Sequence, residues 1–537
     1  MHSNSDITLA MEYHEATKHS ELTLRMSRHF LDWESKPQPF KVYTELPSIT
    51  LPTDFPRPEL DALTSVSSVE PPNRATTMDI TRLAELLFFS AGLTREVRYP
   101  FGRYYMRVAP ATGALYPIEL YVICPDIPGL KAGVYHFGPG DFALTELWAG
   151  DYRSELAAAA GGNQRIMSAP VTIAFTSIAW RNAWKYEARS YRHWFWDSGV
   201  IAANLLSTTV SSGLPMHLIL GFVDAEVNRL LCLDEEREAV LALAPIGIGL
   251  PHLKKIVPTE IPLVSPEVLP LSKKETHYPE IWKIHEASSL ANGEEVMVWV
   301  NATHGVKKRL TGMDRSNYPL RPLKAETSKS SLGEVILLRG SARRFTQVPI
   351  SFEQLSTTLR SSTRGVPMDF LRQGDSIVEL YLIANAVEGL PSGAYFFNRP
   401  ADSLEQLKIG EFRKVAGYLC LDQSLFANAS VVIFLMSDLN TVLKYFGNRG
   451  YRAAQFEAGI VAGKIYLSTY AQGLGASGST FYDDAVTEFF SPHARDKSTM
   501  IATGIGFPDY RARPGKILVG MLNKTQLLAE GAPERAL

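Results

Sequence analysis

Cysteine is scarce in this chain of 537 residues, and neither sign of charge is in excess. The three cysteines, Cys124, Cys232 and Cys420, lie far apart without the spacing of metal ligands, so the sequence predicts buried thiols in a reducing compartment and no disulfide framework. The formal net charge is -2, and acidic and basic residues are interspersed. This balance argues against a nucleic-acid partner and against an acidic, chaperone-like tail.

Long hydrophobic runs and several common catalytic motifs are also missing. No apolar stretch is long enough to span a bilayer, and residues 1–6 form neither a basic start nor an apolar signal core. The expectation is therefore a cytoplasmic protein without a membrane partner. The chain has no metal-spaced His/Cys cluster, no phosphate loop and no Gly-x-Ser-x-Gly elbow, so no metal site is predicted. His14, His193 and His217 are interpreted as ordinary polar or core residues.

An internal repeat explains a length that exceeds one hydrophobic core. Several short motifs recur 260 residues later, and a register held over so long a stretch is not expected by chance. The clearest pairs are Glu119-Leu120-Tyr121 with Glu379-Leu380-Tyr381, Tyr191-Arg192 with Tyr451-Arg452, and Gly213-Leu214 with Gly473-Leu474. The chain is therefore predicted to contain two copies of one domain.

Each copy is predicted to be α+β, with helices packed on a mixed sheet. Two long helices, over residues 194–211 and 454–470, are apolar nearly all round and are predicted to pack on each other as the core of an internal pseudo-dimer. The predicted divisions are a wrapping N-terminal segment (1–75), domain 1 (76–256), a connector (257–332), domain 2 (333–525) and a tail (526–537).

The segments outside the two copies give weaker signals. A helix near residues 17–33 and a proline-rich extended stretch are predicted within the N-terminal segment. The connector is predicted to be proline-rich at first, then helical over residues 278–291, then polar and mobile over residues 324–331. No counterpart for the connector is evident in the sequence.

The stretch from Arg107 to Pro117, Arg-Val-Ala-Pro-Ala-Thr-Gly-Ala-Leu-Tyr-Pro, interrupts an apolar strand with small residues whose backbone amides can approach a ring or a phosphate. Residue types alone also fit an ordinary turn before a strand. The stretch resembles the Arg-x-x-Pro-Ser-Ala-Gly-Ala-Leu-Tyr-Pro signature of nitroreductase-like flavoproteins, in the SagB-type or McbC-like branch of thiazoline/oxazoline dehydrogenases. Ala111 and Thr112 replace the usual Ser-Ala. Residues 13–18 and 39–43 also resemble the leader of this branch.

The resemblance implies an FMN site that takes residues from both copies. Arg339-Gly-Ser341-Ala-Arg343 resembles the family segment that holds the phosphate, ribityl and pyrimidine, and residues 67–73 of the first copy lack it. Conversely, the turn of the first copy is replaced by residues 371–377 in the second. These complementary losses predict one FMN per chain, between the copies. The implied cofactor-binding residues are Pro110, Ala111, Thr112, Gly113 and Leu115 from the first copy and Arg339, Ser341, Arg343, Gly475, Ala476, Ser477, Arg511 and Arg513 from the second.

Lys185 and Tyr186 match a Lys-Tyr pair that the azoline dehydrogenases use at the flavin. A nearby ammonium is expected to lower the pKa of the phenol, so that Tyr186 can take a proton while the flavin takes a hydride. Lys444 and Tyr445 of the second copy are then expected to face the degenerate site. A lysine beside a tyrosine is also commonplace, and a purely structural role is the alternative.

The resemblance thus implies an FMN-dependent oxidoreductase that dehydrogenates an azoline or a related peptide-derived ring, with dioxygen as electron acceptor. One alternative is an NAD(P)H-dependent nitroreductase or quinone reductase on the same fold. Another is a flavin-binding or scaffold protein without catalysis. The expected partner is a small-molecule or peptide substrate, and the chain is expected to be a monomer with an internal pseudo-dimer or a homodimer.

Overall fold

The computed structural model describes residues 4–71, 77–99, 102–249, 261–302, 316–323 and 330–531. We refer to residues 4–249 as the first half and to residues 261–531 as the second half. Each half contains one large sheet with helices packed on it, which confirms the predicted α+β class and the tandem arrangement. Within the described residues, every strand pairing in the two large sheets is antiparallel, so the sheets are not mixed as predicted.

The helices of the two halves follow one another in a similar order. In the first half they are α1 (Thr8–Ala16), α2 (Glu21–Met26), α3 (Ala62–Ser67), α4 (Ile80–Ala91), α5 (Arg153–Ala159), α6 (Gln164–Ser168), α7 (Ala179–Tyr186), α8 (Ser190–Ser211) and α9 (Asp224–Leu230). In the second half they are α10 (Pro279–Ala287), α11 (Gly293–Asn301), α12 (Leu332–Leu338), α13 (Phe352–Ser362), α14 (Arg413–Leu419), α15 (Ser424–Asn428), α16 (Leu439–Phe446), α17 (Arg449–Ala471), α18 (Asp483–Phe490) and α19 (Lys524–Gly531).

In the described chain, the strands form one large sheet in each half and two further sheets of two strands each. In the first half they are β1 (Ser48–Thr50), β2 (Leu93–Tyr99), β3 (Gly102–Arg107), β4 (Ile118–Cys124), β5 (Gly133–Gly138), β6 (Ala143–Ala149), β7 (Val171–Ile178) and β8 (Glu238–Ile246). In the second they are β9 (Asn317–Pro319), β10 (Ile350–Ser351), β11 (Glu379–Ala384), β12 (Val387–Glu388), β13 (Gly393–Asn398), β14 (Ser403–Ile409), β15 (Val431–Ser437), β16 (Gly475–Ser479) and β17 (Ser498–Gly506). The large sheets have the orders β1-β6-β5-β4-β7-β8 and β16-β17-β15-β11-β13-β14-β9.

Two long helices, α8 and α17, form the centre of the molecule, as predicted. They approach so closely that a Cβ atom added at Gly199 would lie 2.7 Å from the backbone nitrogen of Ile460, and one added at Gly459 would lie 2.7 Å from the carbonyl oxygen of Phe195. Only glycine permits this contact between the helix backbones. Nearly every residue of both helices is buried, which explains why their sequences are not amphipathic.

Buried ion pairs cross the interface between the halves in a reciprocal pattern. Arginines at the start of α8 contact an aspartate at the start of α18, and arginines at the start of α17 contact an aspartate at the start of α9. The pairs are Arg189 and Arg192 with Asp483, at 3.0 and 2.7 Å, and Arg449 and Arg452 with Asp224, at 2.6 and 2.5 Å. Such reciprocity is the pattern of a two-fold dimer interface, here within one chain.

The N-terminal segment of the first half has a structural counterpart in the stretch predicted as a connector. The carbonyl oxygen of His14 in α1 accepts a hydrogen bond from Arg192, and the carbonyl oxygen of His285 in α10 accepts one from Arg452. Likewise, β1 extends the first sheet beside β6, and β9 extends the second beside β14. The repeated structure therefore includes parts of the N-terminal segment and of the predicted connector, which the repeat predicted from the sequence did not cover.

Several predicted elements differ in the structure. The helix predicted near residues 17–33 is wrong, because α1 ends at Ala16 and only the short α2, capped by Ser20, follows. The helix predicted over residues 278–291 is the shorter α10. Most of the stretch 324–331, predicted to be mobile, lies outside the described residues. No helix of the described chain combines the length and apolar character needed to cross a bilayer.

Candidate functional site

The predicted turn, residues 110–115, joins the β2–β3 hairpin to β4 and has an unusual backbone. Gly113, Ala114 and Tyr116 all have positive φ, at 64°, 54° and 50°. Positive φ is costly for residues other than glycine, so neighbouring groups must hold this conformation. Arg107 is one such group, since its guanidinium lies 5.0 Å from the ring of Tyr116 and its Nη2 donates to the carbonyl oxygen of Pro39 at 2.9 Å.

Asp197 of α8 holds the same turn by hydrogen bonds. Its Oδ1 accepts hydrogen bonds from the backbone nitrogen and the hydroxyl of Thr112, at 2.9 and 2.8 Å, whereas its Oδ2 has no hydrogen-bond partner among the described residues. Burial raises the pKa of Asp197 to about 7, although both bonds from Thr112 act in the opposite direction. This residue was not predicted from the sequence, although it is the one acidic side chain in α8.

Arg339 brings the second half to this turn. It follows α12 directly, and it donates from Nε to the carbonyl oxygen of Val108 at 2.8 Å and from Nη2 to that of Arg107 at 3.1 Å. Its Nη1 donates to no group of the described chain. The side chain is enclosed, and burial lowers its pKa. Arg339 and the turn of the first half, predicted to form one site, are therefore neighbours.

Ser341 and the small residues of β16 extend the site within the second half. The backbone nitrogen of Ala342 donates to the carbonyl oxygen of Ala476 at 2.8 Å, which places the segment after α12 beside β16. The hydroxyl of Tyr466 links the two, because it lies 3.3 Å from Ser341 Oγ and accepts a hydrogen bond from the backbone nitrogen of Gly478 at 2.6 Å. Gly475, Ala476 and Ser477 are buried at this edge of the sheet.

Three predicted arginines have exposed side chains. Arg343, Arg511 and Arg513 donate no side-chain hydrogen bond to any described residue, so their guanidinium groups are available to an anion. The backbone around Arg513 is held to the first half, because its carbonyl oxygen accepts a bond from Arg95. Beyond it, Lys516 and Leu518 donate backbone hydrogen bonds to β2, at 2.9 and 3.1 Å.

Tyr186 contacts the turn, whereas Lys185 points to the surface. A Cβ atom added at Gly113 would lie 2.7 Å from the Tyr186 hydroxyl oxygen, so the phenol lies directly against the turn. Lys185 was expected to lower the pKa of the Tyr186 phenol, and this prediction is wrong. Burial raises the pKa of Tyr186, the charge of Asp197 raises it further, and Lys185 Nζ lies 5.3 Å from the ring centroid. Tyr186 is therefore a protonated phenol across the neutral range.

Buried polar atoms without hydrogen-bond partners in the described chain surround Tyr186 and the turn. His193 packs edge-to-face on Tyr186, with 4.6 Å between ring centroids, and both of its ring nitrogens lack a partner. Burial lowers its pKa, so the ring is neutral. Asn182 Nδ2 donates to the carbonyl oxygen of Thr112 at 3.4 Å, while its Oδ1 is unpartnered. Unsatisfied buried groups are rare, and their concentration here is typical of a ligand site.

Lys444 and Tyr445, expected to face the second interface position, do not line it in the described structure. Both side chains are exposed near the end of α16. Among the described residues there is also no group of three or more His, Cys, Asp or Glu side chains arranged to hold a metal ion.

A model of the nitroreductase family matches residues 70–248 and 336–505, together more than half of the chain. The chain belongs to the nitroreductase family. The two matched segments fall in the two halves, in agreement with the tandem fold. This nitroreductase-family chain is also similar over almost its whole length to a crystal structure from Anabaena variabilis assigned to the nitroreductases. The TM-score is 0.74 and the identity 27%, covering 93% of this chain and 99% of the other.

Two similar proteins are named as processing proteins. The trifolitoxin-processing protein TfxB of Rhizobium leguminosarum bv. trifolii is 30% identical over 230 residues, which are 41% of this chain and 61% of TfxB. The microcin B17-processing protein McbC of Escherichia coli is 26% identical over 164 residues, 30% of this chain and 57% of McbC. The chain thus spans about three fifths of the length of both proteins. It is a nitroreductase-fold oxidoreductase related to them.

Proposed function

We propose that the protein is an FMN-dependent oxidoreductase that dehydrogenates an azoline ring in a peptide or a peptide-derived compound, with one FMN between its halves. The observation that carries the proposal is the pair of hydrogen bonds from Arg339 to the carbonyl oxygens of Arg107 and Val108. They join the arginine segment of one half to the turn of the other. The similarity to the processing proteins TfxB and McbC supports the substrate class.

The chemistry of the residues around the turn fits FMN. A phosphate is matched by guanidinium groups, which offer bidentate, charge-assisted bonds, and a flat ring by small residues and bare amides. Arg339, Ser341, Arg343, Arg511 and Arg513 would hold the phosphate and ribityl chain. Pro110, Ala111, Thr112, Gly113 and Leu115 of one half and Gly475, Ala476 and Ser477 of the other would contact the ring. Oδ1 of Asn182 and Oδ2 of Asp197, which have no partner in the described chain, are available for further hydrogen bonds beside the turn.

The protein's own groups would orient the substrate and exclude water. FMN, when bound, supplies an acceptor for the hydride that leaves the azoline, and the accompanying proton leaves to water, with dioxygen as the proposed final acceptor. Because burial raises the pKa of Tyr186, its hydroxyl keeps its proton and can donate a hydrogen bond to the substrate. We therefore assign Tyr186 this donor role. Lys185 is exposed beside its ring, where it can meet substrate entering from solvent.

Flavin stoichiometry tests the composite site. Purified protein is expected to release one FMN per chain, and both Arg339→Ala and Thr112→Arg are expected to abolish it. Arg372→Ala is the matched control, since Arg372 is exposed and occupies in the second half the position of Thr112. Two FMN per chain, or one that survives both substitutions, would contradict the proposal. A synthetic thiazoline peptide then tests the chemistry, because a dehydrogenase removes two hydrogens and yields a thiazole.

A second candidate, an NAD(P)H-dependent nitroreductase, is favoured by one similarity. A protein of Methanocaldococcus jannaschii assigned to the nitroreductases is 28% identical over 170 residues, which cover 81% of it and 32% of this chain. Anaerobic addition of NADH or NADPH separates the candidates. Rapid bleaching of the flavin would favour the nitroreductase, and a stable flavin spectrum the dehydrogenase. Colourless protein that added FMN does not restore would indicate a scaffold without catalysis.

A further inference from the structure

A cavity of about 900 Å³ lies between the halves at the position related to the Arg339 site by the internal repeat. We call it the second cavity. Its walls include Pro215, Met216 and His217, which stand 260 residues before Gly475, Ala476 and Ser477. They also include Glu457 and Val461, which stand 260 residues after Asp197 and Ile201. The fused chain thus retains a second, large interface site of the size that small-molecule sites occupy.

The second cavity lacks the features that fit FMN at the first position. Ser68 follows α3 where Arg339 follows α12, so the phosphate-binding guanidinium is absent. Arg372 and Gln373 replace Thr112 and Gly113 in the loop that corresponds to the turn.

The walls of the two sites differ as well. Met216 and His217 present larger side chains than Ala476 and Ser477, which reduces the space beside this wall. The ligand of the second cavity is therefore not a second FMN held in the same way.

Four arginines line the second cavity and give it a charge pattern of its own: Arg165, Arg360, Arg364 and Arg399. Arg399 stands where the first half has Pro139, and its guanidinium makes no hydrogen bond or ion pair with any described residue. Burial lowers its pKa, while the charges of Glu457 and Asp375 raise it. Arg364 is exposed at the cavity wall, and its side chain also lacks a described partner. A guanidinium held near other groups but left unpaired is available to an anion from solution.

The acidic groups around Arg399 restrict the kind of anion. Oδ2 of Asp402 is already paired, because it lies 3.5 Å from Nε of Arg360. Glu457 Oε2 accepts the backbone nitrogen of Ile377 at 2.9 Å, and burial raises the pKa of this carboxyl group. The charges of Glu457 and Asp375, which raise the pKa of Arg399, disfavour a doubly charged phosphate more than a singly charged carboxylate.

Apolar side chains form much of the remaining wall. Met216, Met368, Leu371, Phe397 and Val461 line the second cavity. An apolar wall that also carries unpaired guanidinium groups, Arg399 and Arg364, suits a ligand with an apolar body and a negatively charged end.

We propose that the second cavity binds an amphipathic organic acid other than flavin, with its carboxylate on Arg399 and its apolar body against Met216 and Phe397. This binding does not depend on the proposed FMN chemistry, because the two sites share no lining residue named here. The cavity lies between the halves, so an occupant would contact both.

Titration calorimetry and saturation-transfer NMR on the full chain test the proposal, with N-acetyl-L-phenylalanine, N-acetyl-L-leucine and 4-phenylbutyrate as probes. At least one carboxylate is expected to bind, and the neutral N-acetyl-L-phenylalaninamide is expected to bind at least about tenfold more weakly. Arg399→Met is expected to weaken carboxylate binding by about tenfold or more. Arg372→Met is the matched control, because Arg372 is an exposed arginine of the loop before β11 and does not belong to the cavity wall.

The proposal is overturned if no carboxylate binds up to about 10 mM, if the amide binds as well, or if Arg399→Met has no effect. Displacement of the probe by FMN would also overturn it. If Arg399→Met does not fold, Arg364→Met at the exposed wall position serves instead, with an expected weakening of about threefold. FMN content measured on the same samples stays unchanged in each variant, which separates this test from that of the composite site.

Discussion

The two interface positions of this chain share a scaffold but not the residues that line them. At both, a carboxylate from a long helix accepts a backbone hydrogen bond from the neighbouring loop: Asp197 from Thr112, and Glu457 from Ile377. The residues that line the two positions differ, since Arg339 at one position corresponds to Ser68 at the other. Fusion of two copies lets one interface position change while the other retains its function, because they are no longer encoded by the same residues.

The strongest test of the shared scaffold is to remove the aspartates of the reciprocal ion pairs. Asp483→Asn is expected to lower the free energy of unfolding by about 3–5 kcal/mol, because it leaves Arg189 and Arg192 buried without a countercharge. Asp224→Asn is expected to cost a similar amount, since it does the same to Arg449 and Arg452. Urea unfolding measures both. Unequal losses of unfolding free energy would show that the two sets of reciprocal ion pairs are not equivalent.

The pH dependence of this stability has a definite sign. Burial opposes ionisation of Asp224, but Arg449 and Arg452 outweigh it and lower the pKa to about 2. The stabilisation is therefore present at neutral pH and is lost as the pH falls from about 4 towards 2. The matched control is Asp402→Asn, whose partly exposed pair with Arg360 at 3.5 Å is expected to contribute less than about 1 kcal/mol.

Asp197 gives a smaller effect of opposite sign. Burial raises its pKa to about 7, above the value of about 3.9 in an unfolded chain, so the folded state prefers the protonated carboxyl group. Stability from this group is complete below about pH 4 and is lost as the pH rises to about 7. Asp197→Asn retains an acceptor for Thr112 but no charge. It is expected to be more stable than the parent at pH 8 by about 2–4 kcal/mol and equal to it near pH 4.

Urea unfolding at both pH values checks this expectation. The FMN content of the same samples is then compared with that of the corresponding variant at the second cavity. Glu457→Gln removes the corresponding charge at the second cavity and is expected to leave FMN content unchanged. A parent protein whose stability relative to Asp197→Asn does not vary between pH 4 and pH 8 would contradict the assignment.

The smallest effect is expected for the phenol at the turn. Tyr186→Phe is expected to lower kcat/KM for an azoline substrate by about tenfold, the value of one hydrogen bond, with the flavin still bound. Tyr445→Phe is the matched control from the second half, since Tyr445 is 39% exposed and does not line the second cavity. Steady-state kinetics of both variants measure this difference in kcat/KM. Equal activity of the two variants would mean that Tyr186 has only a packing role.

The sequence was sufficient for the repeat, the α+β class and the pairing of the two long helices, because these depend on local patterns. It was insufficient for the N-terminal counterpart. His14-Glu15-Ala16 recurs as His285-Glu286-Ala287 at an offset of 271, whereas the later motifs recur at 260. The β2–β3 hairpin, for which the described second half has no equivalent between α13 and β11, accounts for the change of offset.

The details of the candidate site depended on burial, which the sequence does not specify. Lys185 and Tyr186 are adjacent in the chain, yet enclosure of the phenol raises its pKa, and the neighbouring ammonium does not reverse this. Asp197 was not predicted because a single acidic residue within a helix gives no periodic signal. It could have been found as the single acidic residue in a helix predicted to be buried.

The reciprocal ion pairs also constrain the synthesis of the chain. Arg192 and its partner Asp483 are 291 residues apart, so Arg192 leaves the ribosome long before its countercharge exists. At about 5–20 residues per second, the delay is roughly 15–60 seconds. During that interval the first half carries two arginines that the finished protein buries. Its final packing therefore waits for translation of the second half.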